Sequence, residues 1–372
     1  MSGNLKEMAH AVRRALLEKN LMDTRIDASD PDDLDKGDLD MARTFAAGSE
    51  EVLSHRVIVA VATDKSRGSV VIYTNRPYIK RDQATILKGL DGNLPIIFRS
   101  LDLGVQGPNN NPIMGLPMPV LRKKRITCGN SISLGNDRGA GTLGALVRDA
   151  NGGLLGLSCS HVIAGCGYMQ VGMPIVSPGI QDIVPGWPDP RVIGHFERAL
   201  PLVAGDPRTI GALDNLDAGV FRVSSESLVS SMQGGEYDTP SKIHDLTEDD
   251  EGELQIEKVG RTTGHTEGAI LSEFDHAIEV AFSVVTYPEH GQLKKFEATV
   301  YTNALWMAGS TGRPFANPGD SGALVVTRSI DGAERKAVGL VIAGTKDHSA
   351  LVLPIRPVLE ALNVNLVSTH GV

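Results

Sequence analysis

The sequence predicts a mainly β protein in two strand-rich halves, preceded by a small α/β module. Three observations lead there. Short apolar runs separated by Gly, Asn and Asp turns crowd residues 126–223, the pattern of strands joined by hairpins. A second crowd of such runs fills residues 255–372. Between residues 51 and 102 strand-like and helix-like stretches alternate instead.

The elements follow in order. Leu5, Met8, Val12 and Leu16 recur at helical spacing, so residues 1–50 read as an amphipathic helix and then an acidic linker, Asp30-Pro31-Asp32-Asp33-Leu34-Asp35. The helix is read as docked on its own module, with a membrane-surface or partner helix as the alternative. Residues 56–62, 69–74 and 94–100 read as strands and 82–90 as a helix, which makes 51–102 a small α/β module without a Gly-rich phosphate loop. Residues 103–125 carry Pro112, Pro117, Pro119 and a short basic run, and read as a linker. In the first half, 126–223, a strand from Gly141 is followed by a hairpin partner from Leu154, with Asn151-Gly152-Gly153 as the turn. Residues 224–254 read as a polar connector with the acidic run Glu248-Asp249-Asp250-Glu251. Strands are then expected at 256–259, 268–272, 281–285, 298–305, 323–327, 337–343 and 350–353, and a closing helix at 357–362.

The chemistry-bearing stretch is Asn317-Pro318-Gly319-Asp320-Ser321-Gly322-Ala323-Leu324, a glycine-rich turn running into an apolar strand. Flanking glycines let the backbone around a serine come close to another molecule. The N–H groups of Gly319 and Ser321 are candidates to hold a developing oxyanion. A serine is a poor nucleophile without a base, so a histidine and a carboxylate are needed. His161 follows the hairpin partner strand at the end of Leu157-Ser158-Cys159-Ser160. Asp217 opens the apolar strand Leu216-Asp217-Ala218-Gly219-Val220 and is the preferred acid, with Asp214 competing. Alone, each has a plainer reading: a turn serine, a core histidine, a strand-start cap.

Gly319-Asp320-Ser321-Gly322-Ala323-Leu324-Val325 resembles the serine motif of the trypsin/chymotrypsin superfamily, and Ser160-His161-Val162-Ile163-Ala164 a divergent form of its histidine motif. The chain order His161, Asp217, Ser321 agrees with that superfamily and differs from the α/β-hydrolases and subtilisins. Ala140-Gly141-Thr142-Leu143-Gly144-Ala145 and Val259-Gly260-Arg261-Thr262-Thr263-Gly264-His265-Thr266-Glu267-Gly268 are similar to a bacterial intracellular branch related to the plant Narrow-leaf 1 proteins. The resemblance covers about residues 126–366 and implies a chymotrypsin-like double β-barrel with the cleft between its halves. It further implies serine endopeptidase activity on a protein or peptide substrate. Its primary pocket would have Phe315 and Ala316 at the floor and Ile342, Ala343 and Gly344 as a wall. No acid stands at the floor, so a small or apolar side chain is expected there, although Asp347 is near. Arg125-Ile126-Thr127-Cys128-Gly129 resembles a zymogen junction whose new amine would pair with Asp320. The favoured expectation is that Asp320 bonds within the uncut chain.

Composition narrows the alternatives. A net charge of −9 argues against a nucleic-acid binder, and Arg122-Lys123-Lys124-Arg125 is too short to be a nucleic-acid patch. Three cysteines, Cys128, Cys159 and Cys166, cannot form a full disulfide set, and nothing sits at zinc spacing. No cofactor or metal is called for. No signal-peptide core or membrane-length apolar run is seen, so a cytoplasmic protein is expected. The sequence selects neither a monomer nor a homo-oligomer. Two other functions use the same residues: a catalytically silent protease-like scaffold, and an esterase-type acyl hydrolase.

Overall fold

The computed structural model describes residues 2–18, 21–22, 58–76, 80, 95–106, 120–137, 139–183, 185–186, 189–205, 215–286, 294–310 and 312–372. The helix expected at 82–90, the acidic stretch at 30–35 and Asp214 lie outside the described residues. Among the described residues no helix is long and apolar enough to cross a membrane.

Helix α1 (Ser2–Glu18) buries Ala9, Val12 and Leu16. They pack on Met22, Ile58, Val61, Val70, Ile72 and Ile96, so the helix docks on its own module. There β1 (Ile58–Asp64) runs antiparallel to β2 (Ser69–Thr74), and β2 runs parallel to β3 (Ile96–Ser100). A short strand β4 (Val105–Gln106) follows, inside the stretch read as a linker.

The first half contains β5 (Leu121–Arg122), β6 (Arg125–Cys128), β7 (Ser131–Leu134), β8 (Gly141–Thr142), β9 (Ala145–Asp149) and β10 (Leu154–Ser158). A single helical turn α2 (Ser160–Ile163) follows, then β11 (Pro174–Ser177), β12 (Arg191–Ala199) and β13 (Gly219–Val223). The stretch read as a connector adds β14 (Val229–Gln233), parallel to β6, and β15 (Tyr237–Asp238). Ile126 is buried inside β6, paired with Leu121 and Val229.

The second half is a closed six-stranded barrel. It comprises β16 (Gln255–Gly260) and β17 (Gly264–Glu273), then, beyond an inserted hairpin, β20 (Trp306–Gly309), β21 (Leu324–Thr327), β22 (Ala337–Gly344) and β23 (Ala350–Pro354). The insert is β18 (Ile278–Thr286) and β19 (Lys294–Thr302), which the sequence reading assigned to the barrel. They form a separate sheet in the order β19-β18-β4. Strand β20 takes their place in the barrel, and no strand was expected there. Helix α3 (Ile355–Leu362) and β24 (Val364–Leu366) close the chain. Strand β24 returns to β9, at the edge of an eight-stranded half-barrel sheet ordered β24-β9-β10-β13-β12-β11-β7-β8. One apolar core runs through both halves and the hairpin: Val147, Leu157 and Val220 belong to it with Leu340, Leu351 and Val300.

Candidate active site

Strand pairing brings His161 and Asp217 together. Ser158 at the end of β10 lies opposite Gly219 at the start of β13. His161 is three residues beyond one partner and Asp217 two residues before the other. Cys159 is extended, and His161 sits on the helical turn α2 rather than at the strand end expected from sequence. His161 N donates to Asp217 Oδ1 at 3.0 Å, and His161 Nδ1 meets Asp217 Oδ2 at 2.5 Å. Both carboxylate oxygens are therefore engaged by one residue. Asp217 is fully buried and the His161 side chain is 9% exposed. Such an arrangement fixes which imidazole nitrogen faces the carboxylate and leaves Nε2 as its outward nitrogen.

Ser321 is carried by the other barrel, in the turn before β21. Its carbonyl accepts from Thr142 N of β8 at 2.8 Å, which ties the two halves together at this point. Gly322 adopts φ +92°, and a Cβ there would lie 2.3 Å from Ser158 Oγ and 3.3 Å from Cys159 N. Only glycine lets the serine turn rest on the chain leading to His161. Likewise, a Cβ on Gly141 would lie 2.5 Å from Val162 and 3.0 Å from the Ser321 carbonyl. The Ser321 hydroxyl donates to Ile342 O at 3.3 Å, and no hydrogen bond joins it to His161 among the described residues.

The two amides expected to hold an oxyanion are unpaired among the described residues. Pro318 O accepts from Thr262 Oγ1 at 2.8 Å, and Asp320 O accepts from Ala323 N at 2.9 Å. In a trans peptide the N–H points away from its carbonyl, so pinning these oxygens turns the Gly319 and Ser321 N–H groups away from those partners. Gly319 itself is held at φ +102°.

Asp320 points inward. Its Oδ1 accepts from Thr262 N at 2.8 Å, and its Oδ2 accepts from Asn317 N at 3.0 Å and Thr263 Oγ1 at 2.8 Å. Lys258 Nζ lies 3.3 Å from the same Oδ2, with both side chains wholly buried. Burial pushes the Lys258 ammonium below its ordinary range, while Asp320 works against that. Asp320 is thus bonded within the uncut chain. A second buried ion pair, Arg261 on Asp182 through Nε and Nη2 at 2.5 Å each, crosses from the second half to the first. Arg261 Nη1 also closes the space beside Gly319, where a Cβ would lie 2.1 Å from it. Sequence reading gave Lys258 and Arg261 no role. The only signal was the run Val259-Gly260-Arg261-Thr262-Thr263-Gly264, which points at the turn but not at its partners.

Phe315, Ala316, Ile342 and Ala343 are all fully buried. The Phe315 ring packs in the second-barrel core with Ile256 and Val325, and Lys258 Nζ lies 5.7 Å from its centre. His348 O accepts from both Phe315 N at 2.9 Å and Ala316 N at 3.3 Å. Gly344 stands instead beside the next residues of the chain: a methyl on it would lie 3.6 Å from Asn317 Cα.

Two clusters have metal-compatible spacing. Ligand atoms of Cys159, His161 and Asp217 lie within 4.8 Å of one another. Cys159 instead donates its thiol to Val341 O at 3.3 Å, and burial followed by the Asp217 charge pushes the Cys159 and Cys166 thiols well up. Protonated thiols are poor ligands. All three cysteines are free. In the other cluster, Glu257, His265 and Glu267, the Glu257 carboxylate is already bonded to Arg335 at 2.5 Å and His265 at 2.7 Å. A cavity of about 580 Å³ lies elsewhere, between the N-terminal module and the second barrel, lined by Arg67, Tyr73, Arg99, Met307 and Arg328.

No protein-family model matches the sequence, and no curated protein does. Solved structures that resemble parts of it include proteases. A Nocardiopsis protease is 20% identical over 64% of this chain and 97% of its own, with a TM-score of 0.39. Thermobifida fusca protease A is 19% identical over 65% and 98%, with a TM-score of 0.38. A Cellulomonas bogoriensis chymotrypsin is 18% identical over 65% and 98%, also with a TM-score of 0.38. The chain itself is mainly β: a closed six-stranded barrel and an eight-stranded half-barrel sheet.

Proposed function

We propose that the chain is a serine endopeptidase using Ser321, His161 and Asp217. The observation that carries this reading is the pair of bonds from His161 to the fully buried Asp217, 3.0 Å from the backbone amide and 2.5 Å at Nδ1. A buried carboxylate engaged twice by one histidine orients that imidazole for proton transfer. In this reading Ser321 Oγ leaves Ile342 O, attacks a peptide carbonyl and passes its proton to His161 Nε2. The Gly319 and Ser321 amides receive the negative oxygen, an interaction worth about two to three orders of magnitude in rate per donor. His161 then protonates the departing amine, and water repeats the cycle on the acyl-enzyme. Closeness of Gly344 to Asn317 favours a small side chain before the scissile bond, and the absence of an acid at Phe315-Ala316 agrees with an apolar one.

Peptide-library turnover by the wild type and by Ser321→Ala tests the reading. Cleavage after small or apolar residues, absent in the variant, is expected. Equal cleavage by a folded Ser321→Ala variant refutes it.

The Ser321 hydroxyl's bond to Ile342 O favours one competing reading, a silent protease-like scaffold. In apo enzymes catalytic bonds are often loose until substrate binds, so this bond alone does not select the scaffold. Complete lack of turnover on both peptide and ester libraries would favour it.

A further inference from the structure

His161 has a second neighbour that this chemistry does not use. The Phe282 ring lies on the imidazole with centroids 4.7 Å apart and planes inclined by 29°. Phe282 is 1% exposed and comes from the inserted hairpin, not from either barrel. That hairpin is fixed from several sides. Ala281 and Phe282 pair in parallel with Val105 and Gln106 of β4. Ala204 bridges to Val300, and Gly205 N donates to Thr299 O at 3.1 Å. Asn215 Nδ2 donates to Tyr301 O at 3.0 Å, and Asn215 stands two residues ahead of Asp217. The segment carrying the carboxylate is therefore also an anchor of the hairpin carrying the ring.

We propose that Phe282 is a positioning residue for His161. One edge bond, from Nδ1 to Asp217, leaves an imidazole free to rock about the bond axis. A ring laid on its face removes that freedom and shields the face from water. Stacked aromatic pairs contribute about 0.5–1.5 kcal/mol beyond area burial, which corresponds to a change of about two- to tenfold in the population of the held orientation. The N-terminal strand β4 acquires a role in this account: it braces the hairpin at the residue that touches the histidine. The kinetic part of the proposal rests on the acyl-transfer reading, and the geometric part does not.

The test compares full-length wild type, Phe282→Leu and Phe282→Tyr. Leucine keeps most of the volume without a ring face, and tyrosine keeps the ring. Two rates are read: adduct formation by a fluorophosphonate, and carbethoxylation of His161 by diethyl pyrocarbonate, mapped by mass spectrometry against the exposed His195. For Phe282→Leu the expected results are adduct formation slower by about two- to tenfold and His161 carbethoxylation faster by about the same range. Phe282→Tyr is expected to stay near the wild type in both. Unchanged carbethoxylation of His161 in Phe282→Leu overturns the proposal, as does a tyrosine variant impaired as deeply as the leucine one. If wild-type Ser321 takes no adduct, the peptidase reading fails, and the carbethoxylation ratio alone decides the role of Phe282.

Discussion

Lys258 Nζ stands 3.3 Å from Asp320 Oδ2, and neither side chain reaches solvent. The residue next to the candidate nucleophile is thereby neutralised from within its own barrel. Lys258 also donates to Thr263 Oγ1 at 2.6 Å, and Thr263 Oγ1 donates to Asp320. The turn bearing Ser321 is locked by this three-way contact.

Removing one member of a buried pair leaves an uncompensated charge, at a cost of about 3–5 kcal/mol. Lys258→Met is expected near the lower end, because Asp320 keeps its bonds from Thr262, Thr263 and Asn317. Adding Asp320→Asn removes the unpaired charge but sets an amide N–H against a backbone N–H of Thr262 and Thr263 or of Asn317, so it should not restore the loss. Urea denaturation of the single and double variants measures both, and equal stability of Lys258→Met and wild type would contradict the arrangement.

Asp217→Asn replaces an acceptor with an amide that presents N–H to one of its two partners. His161 N and Nδ1 both require an oxygen, so the imidazole is expected to lose its productive tautomer. A loss of about four orders of magnitude in turnover is the precedent for this change in such a site. Steady-state kcat on the best library peptide measures it, alongside a melting curve that should show a folded protein.

The cluster on β16 and β17 makes a pH prediction. The bond to Glu257 holds His265 above its ordinary 6.5. Burial pushes Glu257 up, but the bonds from His265 and Arg335 outweigh it and hold the carboxyl below 4.5. A raised histidine adds stability that is complete below 6.5 and fades as pH climbs through its folded value; a depressed carboxyl adds stability that is complete above 4.5 and fades on acidification. The stability difference between wild type and His265→Gln should therefore peak between 4.5 and 6.5 and shrink on the alkaline side. Urea midpoints across pH check this, and a difference that grows above neutrality would oppose it.

The candidate residues could be nominated from sequence because they sit beside strands with strong local signals. Ser321 lies between glycines ahead of an apolar run, and Asp217 abuts the buried Val220 and Phe221. The hairpin was seen as strands but placed in the wrong sheet. Alternation in β18 and β19 says that one face is buried, not which neighbours bury it. Strand β20 was missed because Trp306–Gly309 is only four residues long and follows a longer strand signal. Lys258 reads as an outward residue of an ordinary strand until Asp320 is brought against it. Phe282 reads as core, since no local pattern announces that its ring will rest on a histidine from the other half. Pair partners distant in sequence leave no periodicity to find.

The central claim is that Ser321 is a nucleophile activated by His161. Fluorophosphonate treatment of the full chain, with the adduct located by mass spectrometry, tests it most directly. The account predicts one adduct, on Ser321, that disappears in a folded His161→Ala variant. A folded wild type that takes no adduct at Ser321, or an equal adduct in His161→Ala, would contradict it.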